Sequence, residues 1–151
     1  MVDTVYVRNI GELISGVRLG AHAALIGANT GLVIDREANP GSAAGPPLSM
    51  AAMLSFNVVM TATDVLTVAW VLNDSADGTN FAALQTVAAA PIFGPVAAGT
   101  YNRCATIPVI LTSARRYIRW DYTTAGPAGA IQTDAVGVFG GWDRLAAPNI
   151  H

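Results

Sequence analysis

Apolar and polar residues alternate along much of this chain, which is the pattern of strands that bury one face. From Leu54 to Thr61, apolar residues alternate with mostly polar ones. From Val65 to Leu72 both faces are apolar, which is typical of a central strand or of a strand at an interface. Over 116–124 the two faces differ sharply. One face there carries Ile118, Trp120 and Tyr122, and the other carries Tyr117, Arg119, Asp121 and Thr123. We place Trp70 and Trp120 in the core.

Turn residues divide the remainder of the chain into further short strands. Residues 16–26, 32–35, 105–112 and 130–139 read as strands. Residues 81–90 have helix propensity, but the strands around them favour a strand there as well. We expect Pro108 to lie at a sheet edge or a bulge. The runs 39–47 and 91–99, rich in Pro and Gly, are expected to be irregular.

These segments predict an all-β fold, a jelly-roll-like β-sandwich of about eight strands. We assign residues 13–142 to the sandwich domain. Residues 1–12 and 143–151 have too little apolar periodicity to close a core and are expected to form extended N- and C-terminal arms.

The amino-acid composition argues against some classes of function and favours others. Charged residues make up only 12% of the 151 residues, apolar residues make up 52%, and the net charge is −2. No Lys/Arg stripe is present to neutralise phosphates, which argues against direct nucleic-acid binding. No uninterrupted apolar run reaches the roughly 18–20 residues that cross a membrane. So little charge favours a surface that packs against other proteins, by oligomerisation or by docking on a larger assembly.

The residues that usually carry chemistry are few and scattered. No acid–base or nucleophile–base pair stands out, so we expect no enzyme activity, no metal site and no cofactor. His22 is expected to be structural, and Cys104 to be a small buried or half-buried residue. Asp74, Asp77 and Asn80 have alternating oxygen ligands that suit Ca²⁺, but their spacing lacks the EF-hand pattern, and turn capping explains them better. The single cysteine excludes an internal disulfide framework, and the first residues do not form a secretory signal.

Two segments carry a resemblance to a known family. Residues 68–81 (VAWVLNDSADGTNF) and 115–131 (RRYIRWDYTTAGPAGAI) give a strand, a DSxDGxxF turn, and later an RYIRWDY strand followed by a turn of small residues. In this order they resemble the small capsid cement (decoration) proteins of tailed bacteriophages, over roughly residues 50–140. The resemblance implies a jelly-roll domain, usually a homotrimer, that binds the major capsid protein on the outside of the shell. It also implies a virion protein made in the host cytoplasm.

For the interface we single out Tyr117, Arg119 and Asp121 on one strand face, and Trp142 and Arg144 beside the C-terminal arm. A solvated or locally paired strand face is the alternative for Arg119 and Asp121. Two other functions stay open: another virion component, such as a tail or head-fibre base domain, and a carbohydrate-binding β-sandwich.

Overall fold

The structure is a computed structural model that describes residues 15–20, 23–24, 26–38, 46–127 and 131–140. The two arms expected at 1–12 and 143–151 lie outside these residues, as do His22, Trp142, Arg144 and most of the loop expected at 39–47.

The described chain forms ten β-strands. They are β1 (Ser15–Gly20), β2 (Ala23–Ala24), β3 (Gly27–Asn29), β4 (Ile34–Asp35), β5 (Ser49–Met60), β6 (Leu66–Ser75), β7 (Ala82–Phe93), β8 (Gly99–Ile110), β9 (Tyr117–Ala125) and β10 (Ile131–Gly140). All pairings between them are antiparallel.

The strands build two sheets that pack face to face. In the first sheet the order is β1-β10-β5-β8, and β2 shares with β1 the outer side of β10. In the second sheet the order is β3-β9-β6-β7, and β4 shares with β3 the outer side of β9. Each sheet therefore has four positions. The chain stays within one sheet from β1 to β2, from β3 to β4 and in the β6–β7 hairpin, and it crosses to the other sheet at every other connection. This is the jelly-roll order, and the predicted all-β sandwich is confirmed.

Alternation decides which residues enter the core. On β5 every second side chain from Met50 to Met60 is buried, and on β6 and β9 the same holds for Leu66 to Leu72 and for Ile118 to Tyr122. The predicted faces of all three strands are confirmed. Trp120 lies between two aromatic neighbours, with ring centroids 6.2 Å from Trp70 and 4.7 Å from Tyr122.

Some strand boundaries differ from the prediction. The single strand expected over 16–26 is wrong, because β1 ends at Gly20 and β2 spans only Ala23–Ala24, before the chain enters the second sheet with β3 at Gly27. The irregular segment expected from Pro91 onward is shorter, because β7 continues to Phe93 and β8 begins at Gly99. A proline is tolerated in β7 because β7 lies at the edge of its sheet.

The two lateral sides of the sandwich are unlike. One side ends in β1 to β4, none of which is longer than six residues. The other side ends in β7 and β8, each twelve residues long. The ladder between β5 and β8 is regular over its whole length, and Pro108 lies at that edge as predicted. The ladder between β6 and β7 has three register shifts, so β7 is strongly bulged.

Candidate interaction surfaces

Asp121 is the centre of a hydrogen-bond network on the outer face of the second sheet. Its carboxylate accepts hydrogen bonds from the Arg119 guanidinium at 3.0 Å, the Asn73 side-chain amide at 2.7 Å and the Gly31 backbone N–H at 2.9 Å. Gly31 follows β3, and a Cβ there would collide with the carbonyl oxygen of Trp120. Asp121 thus ties the loop after β3 to β9 and β6.

Arg119 and Asp121 form an ion pair at 2.9 Å within one strand, and both side chains are about three-quarters buried, at 28% and 24% exposure. The guanidinium carbon of Arg119 also lies 4.8 Å from the Phe81 ring centroid. The sequence placed these two residues on one face correctly. The structure pairs them within the molecule, so the local-pairing alternative describes their contacts.

Tyr117 lies on the same face, at the start of β9. Its ring packs over Gly78, which has a φ of +75°, and the Arg116 guanidinium carbon lies 5.0 Å from its ring centroid. A Cβ at Gly78 would be 3.4 Å from this ring. Glycine tolerates this positive φ without steric cost, and Tyr117 is half-buried against the turn that Gly78 makes possible.

A second ion pair links β4 to Arg116, the residue that precedes β9. Arg116 donates to the Asp35 carboxylate from Nη2 at 2.7 Å and from Nε at 3.0 Å, and its Nη1 lies 3.4 Å from Glu37. Hydrogen bonds from Arg116 hold the pKa of the Asp35 carboxyl below its usual value, and in turn Asp35 raises the pKa of Arg116. β4 has only two residues, so this pair adds to a very short backbone ladder.

Asp74 is buried at the end of β6 and pairs with Arg115. It accepts hydrogen bonds from the Arg115 guanidinium at 2.7 Å and from the Arg115 backbone N–H at 2.9 Å. These bonds lower the pKa of Asp74. The turn-capping role expected for Asp74 is therefore wrong, because Arg115, 41 residues later, takes its carboxylate.

The turn after β6 uses Asp77 instead. The Asp77 carboxylate accepts hydrogen bonds from the backbone N–H groups of Thr79 and Asn80, each at 2.8 Å, and from the side chains of Ser75 and Asn80. These donors lower the pKa of Asp77. Capping by Asp77 fits the prediction. Across the described ranges, no group of three or more His, Cys, Asp or Glu residues comes together to hold a metal ion.

Arg36 is a buried cation that the sequence analysis missed. It is only 2% exposed and donates to the carbonyl oxygens of Pro47 at 2.5 Å, Arg115 at 3.0 Å and Leu111 at 3.1 Å, and also to that of Ala114. Burial lowers its pKa. Nothing in the local sequence distinguishes Arg36 from an exposed arginine, because its four acceptors are distant in sequence.

Cys104 also departs from the prediction. It lies on the edge strand β8 and is exposed, not buried or half-buried. The even-numbered residues of β8 face outward in the region around it, whereas Ile107 and Val109 face the core.

Every charged side chain that the structure describes has a partner within the molecule. Besides the residues above, Arg18 donates to the Gly20 carbonyl, Asp64 accepts from the Thr61 N–H, and Arg103 lies 5.5 Å from the Tyr101 ring centroid. The charged side chains therefore mainly stabilise contacts within the molecule.

The outer face of β5 and β8 is free of charge. We call it the neutral face; it consists of the outward residues of the two strands. They are Ser49, Ala51, Met53, Ser55, Asn57 and Val59 on β5 and Thr100, Asn102, Cys104, Thr106, Pro108 and Ile110 on β8. Val59 and Ile110 are 58% and 65% exposed. Asn57 and Asn102 are hydrogen-bonded across the two strands at 2.6 Å.

A shallow depression of about 340 Å³ lies on the outer face of the second sheet. Ala28, Thr30, Val71, Thr86 and Asp121 contribute to its lining. Its aromatic members, Trp70 and Tyr122, are buried, and the Asp121 carboxylate is already engaged by three donors. The described lining therefore offers no exposed aromatic platform of the kind on which a sugar stacks.

The chain was compared with known proteins. No protein-family model matches it, and neither does any curated protein. Among solved structures it is similar to the PBSX exported protein XepA, with 19% sequence identity and a TM-score of 0.38. The match covers 90% of this chain and 40% of that protein, so the chain spans less than half of its length. A likeness at this level does not identify a function. In the described part of the chain, no helix has the length and apolar character needed to cross a membrane.

Proposed function

We propose that this chain is a structural protein of a phage virion that binds the outside of the capsid shell and cements it by bridging major capsid protein subunits. The observation that carries the proposal is the distribution of charged and uncharged residues over the surface of the protein. Most described charged side chains are paired or hydrogen-bonded within the molecule, and the twelve outward residues of β5 and β8 are uncharged and at least partly exposed. A surface of this kind suits packing against a neutral protein surface.

The resemblance of residues 68–81 and 115–131 to phage cement proteins supports the same function. The jelly-roll order of the two sheets is the fold that this resemblance implies. A protein that binds assembled shells and not free subunits stabilises the shell by mass action. If the chain associates as a homotrimer, three copies act together and weak contacts hold by avidity.

The test is co-sedimentation of the purified chain with emptied capsid shells of the same origin, with tails of the same origin as a parallel sample. We expect saturable binding to shells and a rise in the temperature at which shells disrupt. Binding to tails alone would replace the cement proposal with the tail-component alternative. Binding to neither would contradict both, and a glycan-array measurement would then test the carbohydrate-binding alternative.

A further inference from the structure

The outer side of β8, which we call the free edge, is a long sheet edge that no described strand pairs with. β8 lies last in the first sheet, and its ladder with β5 runs from Gly99 to Ile110 without a register shift. The facing edge strand, β7, has three register shifts, which interrupt the row of backbone groups that another strand could join. A long and regular edge is a template for a further strand, and proteins commonly cover such edges.

The hydrogen-bond pattern between β5 and β8 determines which backbone groups point to the free edge. The Leu111 N–H donates to the Leu48 carbonyl oxygen at 2.8 Å, and this pair continues the register of the ladder. Hydrogen-bonded pairs recur at every second residue of an antiparallel ladder. The odd-numbered residues of β8 therefore bond to β5, and the even-numbered residues direct their N–H and C=O groups to the free edge.

Two observations agree with this pattern. Pro108, which has no N–H to donate, occupies an even position in an unbroken ladder. The Asn102 carbonyl oxygen, also at an even position, accepts a hydrogen bond from the Arg103 guanidinium at 3.0 Å. From Thr100 to Thr106 the free edge thus presents a regular row of backbone donors and acceptors.

The side chains beside the free edge restrict what an added strand can carry. Arg103 is exposed and lies against the rings of Tyr101 and Phe93, and among the described residues no carboxylate pairs with it. Ala105 and Ile107 follow it on the side that faces the core. A strand that fits has a carboxylate beside Arg103 and apolar side chains beside the two residues that follow on this side.

Residues 3–8, which lie outside the described part of the chain, have this pattern. Asp3 is followed at every second position by Val5 and Val7. The segment is also rich in the β-branched and aromatic residues that favour strands. Residues 3–8 lead into β1, and Ser15 is level with Val109, at the end of the sheet where β8 finishes. A segment that reaches Ser15 past that end runs parallel to β8.

The connection between this segment and β1 is long enough. Because β10 and β5 lie between β1 and β8, a strand added to β8 lies four strand spacings from β1, or about 19 Å. Ser15 is seven residues after Arg8, and an extended chain of that length spans about 23–25 Å. Asp3 precedes Arg8 by five residues and Arg103 precedes Val109 by six, so with Arg8 beside Val109 the carboxylate lies close to the guanidinium.

We propose that residues 3–8 add a parallel strand to the free edge of β8 in the same molecule, with Asp3 paired to Arg103. Val5 and Val7 then continue the core-facing side of the sheet beside Ala105 and Ile107. This contact goes beyond the cement function and does not depend on it, because it forms in the absence of shells.

The experiment is amide hydrogen exchange of the full chain without shells, measured residue by residue by NMR at two protein concentrations. The odd-numbered amides over 101–105 bond to β5 and serve as the internal reference. The even-numbered amides over 102–106 are protected only if a strand pairs with the free edge. We expect them to exchange at least about 100-fold more slowly than unprotected amides, equally at both concentrations.

The test variants are Asp3→Arg, Arg103→Asp and the two substitutions together. Each single variant places like charges side by side and should speed exchange of the even-numbered amides about 10-fold. The double variant restores opposite charges and should restore the protection. Glu12→Arg is the matched control, because it makes the same change of charge in the connection and should leave these amides unchanged. Circular dichroism verifies that each variant is folded.

Unprotected even-numbered amides in the native chain would overturn the proposal, and so would protection that Asp3→Arg leaves unchanged. A double variant without restored protection would overturn the pairing of Asp3 with Arg103. Protection that appears only at the higher concentration would assign the added strand to a second copy of the chain. Protection that appears only when shells are added in a parallel sample would assign the free edge to the shell. Either of these two results would overturn the contact within one molecule.

Discussion

The outermost strands on the two lateral sides of this sandwich are stabilised by different interactions. The pairing of β9 with β3 and β4 involves three residues and two residues respectively, and side chains reinforce it through the Asp121 network and the Arg116–Asp35 pair. The pairing of β5 with β8 spans twelve residues without a register shift, and its outward side chains are uncharged. A short ladder makes few backbone hydrogen bonds, so charged side chains supplement it. A long ladder needs no such help, which leaves its outer face available for a partner.

The largest effect expected on the charged side is that of Arg36→Ala. The substitution removes the guanidinium donors of four carbonyl oxygens, of which that of Leu111 keeps the Ala114 N–H. Unsatisfied buried acceptors cost about 1–3 kcal/mol each. Because some of these oxygens will gain water, we expect a loss of about 3–5 kcal/mol in the free energy of unfolding, measured in urea.

Arg103→Ala is the control for Arg36→Ala. Arg103 is exposed and mainly contacts aromatic rings, so its removal should cost less than about 1 kcal/mol. Equal losses in the free energy of unfolding for the two variants would contradict the stabilising role of the buried Arg36 side chain.

The Asp74–Arg115 pair should give the chain a pH-dependent stability. The folded state lowers the pKa of Asp74, so this carboxylate stabilises the fold above its unfolded pKa of about 3.9. That contribution is lost as the pH falls through the folded-state pKa. Asp74→Asn should lower the free energy of unfolding by about 2 kcal/mol at neutral pH. Unfolding in urea at several pH values should show the difference from the native chain shrinking in acid; a constant difference would contradict this account.

A smaller and more local effect is expected from Asp121→Asn. The substitution removes the ion pair with Arg119, which is partly exposed, and should cost about 1 kcal/mol. Hydrogen exchange should speed up at the amides of Gly27–Asn29 and remain unchanged along β5 and β8. Faster exchange in both regions would show that the short and long ladders do not differ in their reliance on side chains.

The smallest effect on stability is expected on the neutral face. Thr106→Glu changes an exposed residue and should alter the free energy of unfolding by no more than about 0.5 kcal/mol. If this face binds shells, the same variant should weaken co-sedimentation markedly. Thr123→Glu, at an exposed position on the outer face of the second sheet, is the matched control. Equal shell binding by the two variants would remove the neutral face from the proposal.

The sequence alone determined the all-β character of the chain and the core-facing side of three of its long strands. Alternation in β5, β6 and β9 identified the buried residues because the strand period of two depends only on local geometry. Turn chemistry placed the capping residue Asp77 correctly for the same reason. The low charge content also indicated a surface suited to packing.

Only the tertiary structure determined which groups the charged side chains contact. Arg36 is buried by carbonyl groups from two distant loops, and Asp74 is paired across 41 residues of sequence. The break between β1 and β2 within 16–26 depends on how each part pairs with β10, and the exposure of Cys104 depends on β8 being an edge. These features arise from contacts between segments that are far apart in the chain. Local residue patterns do not predict such contacts.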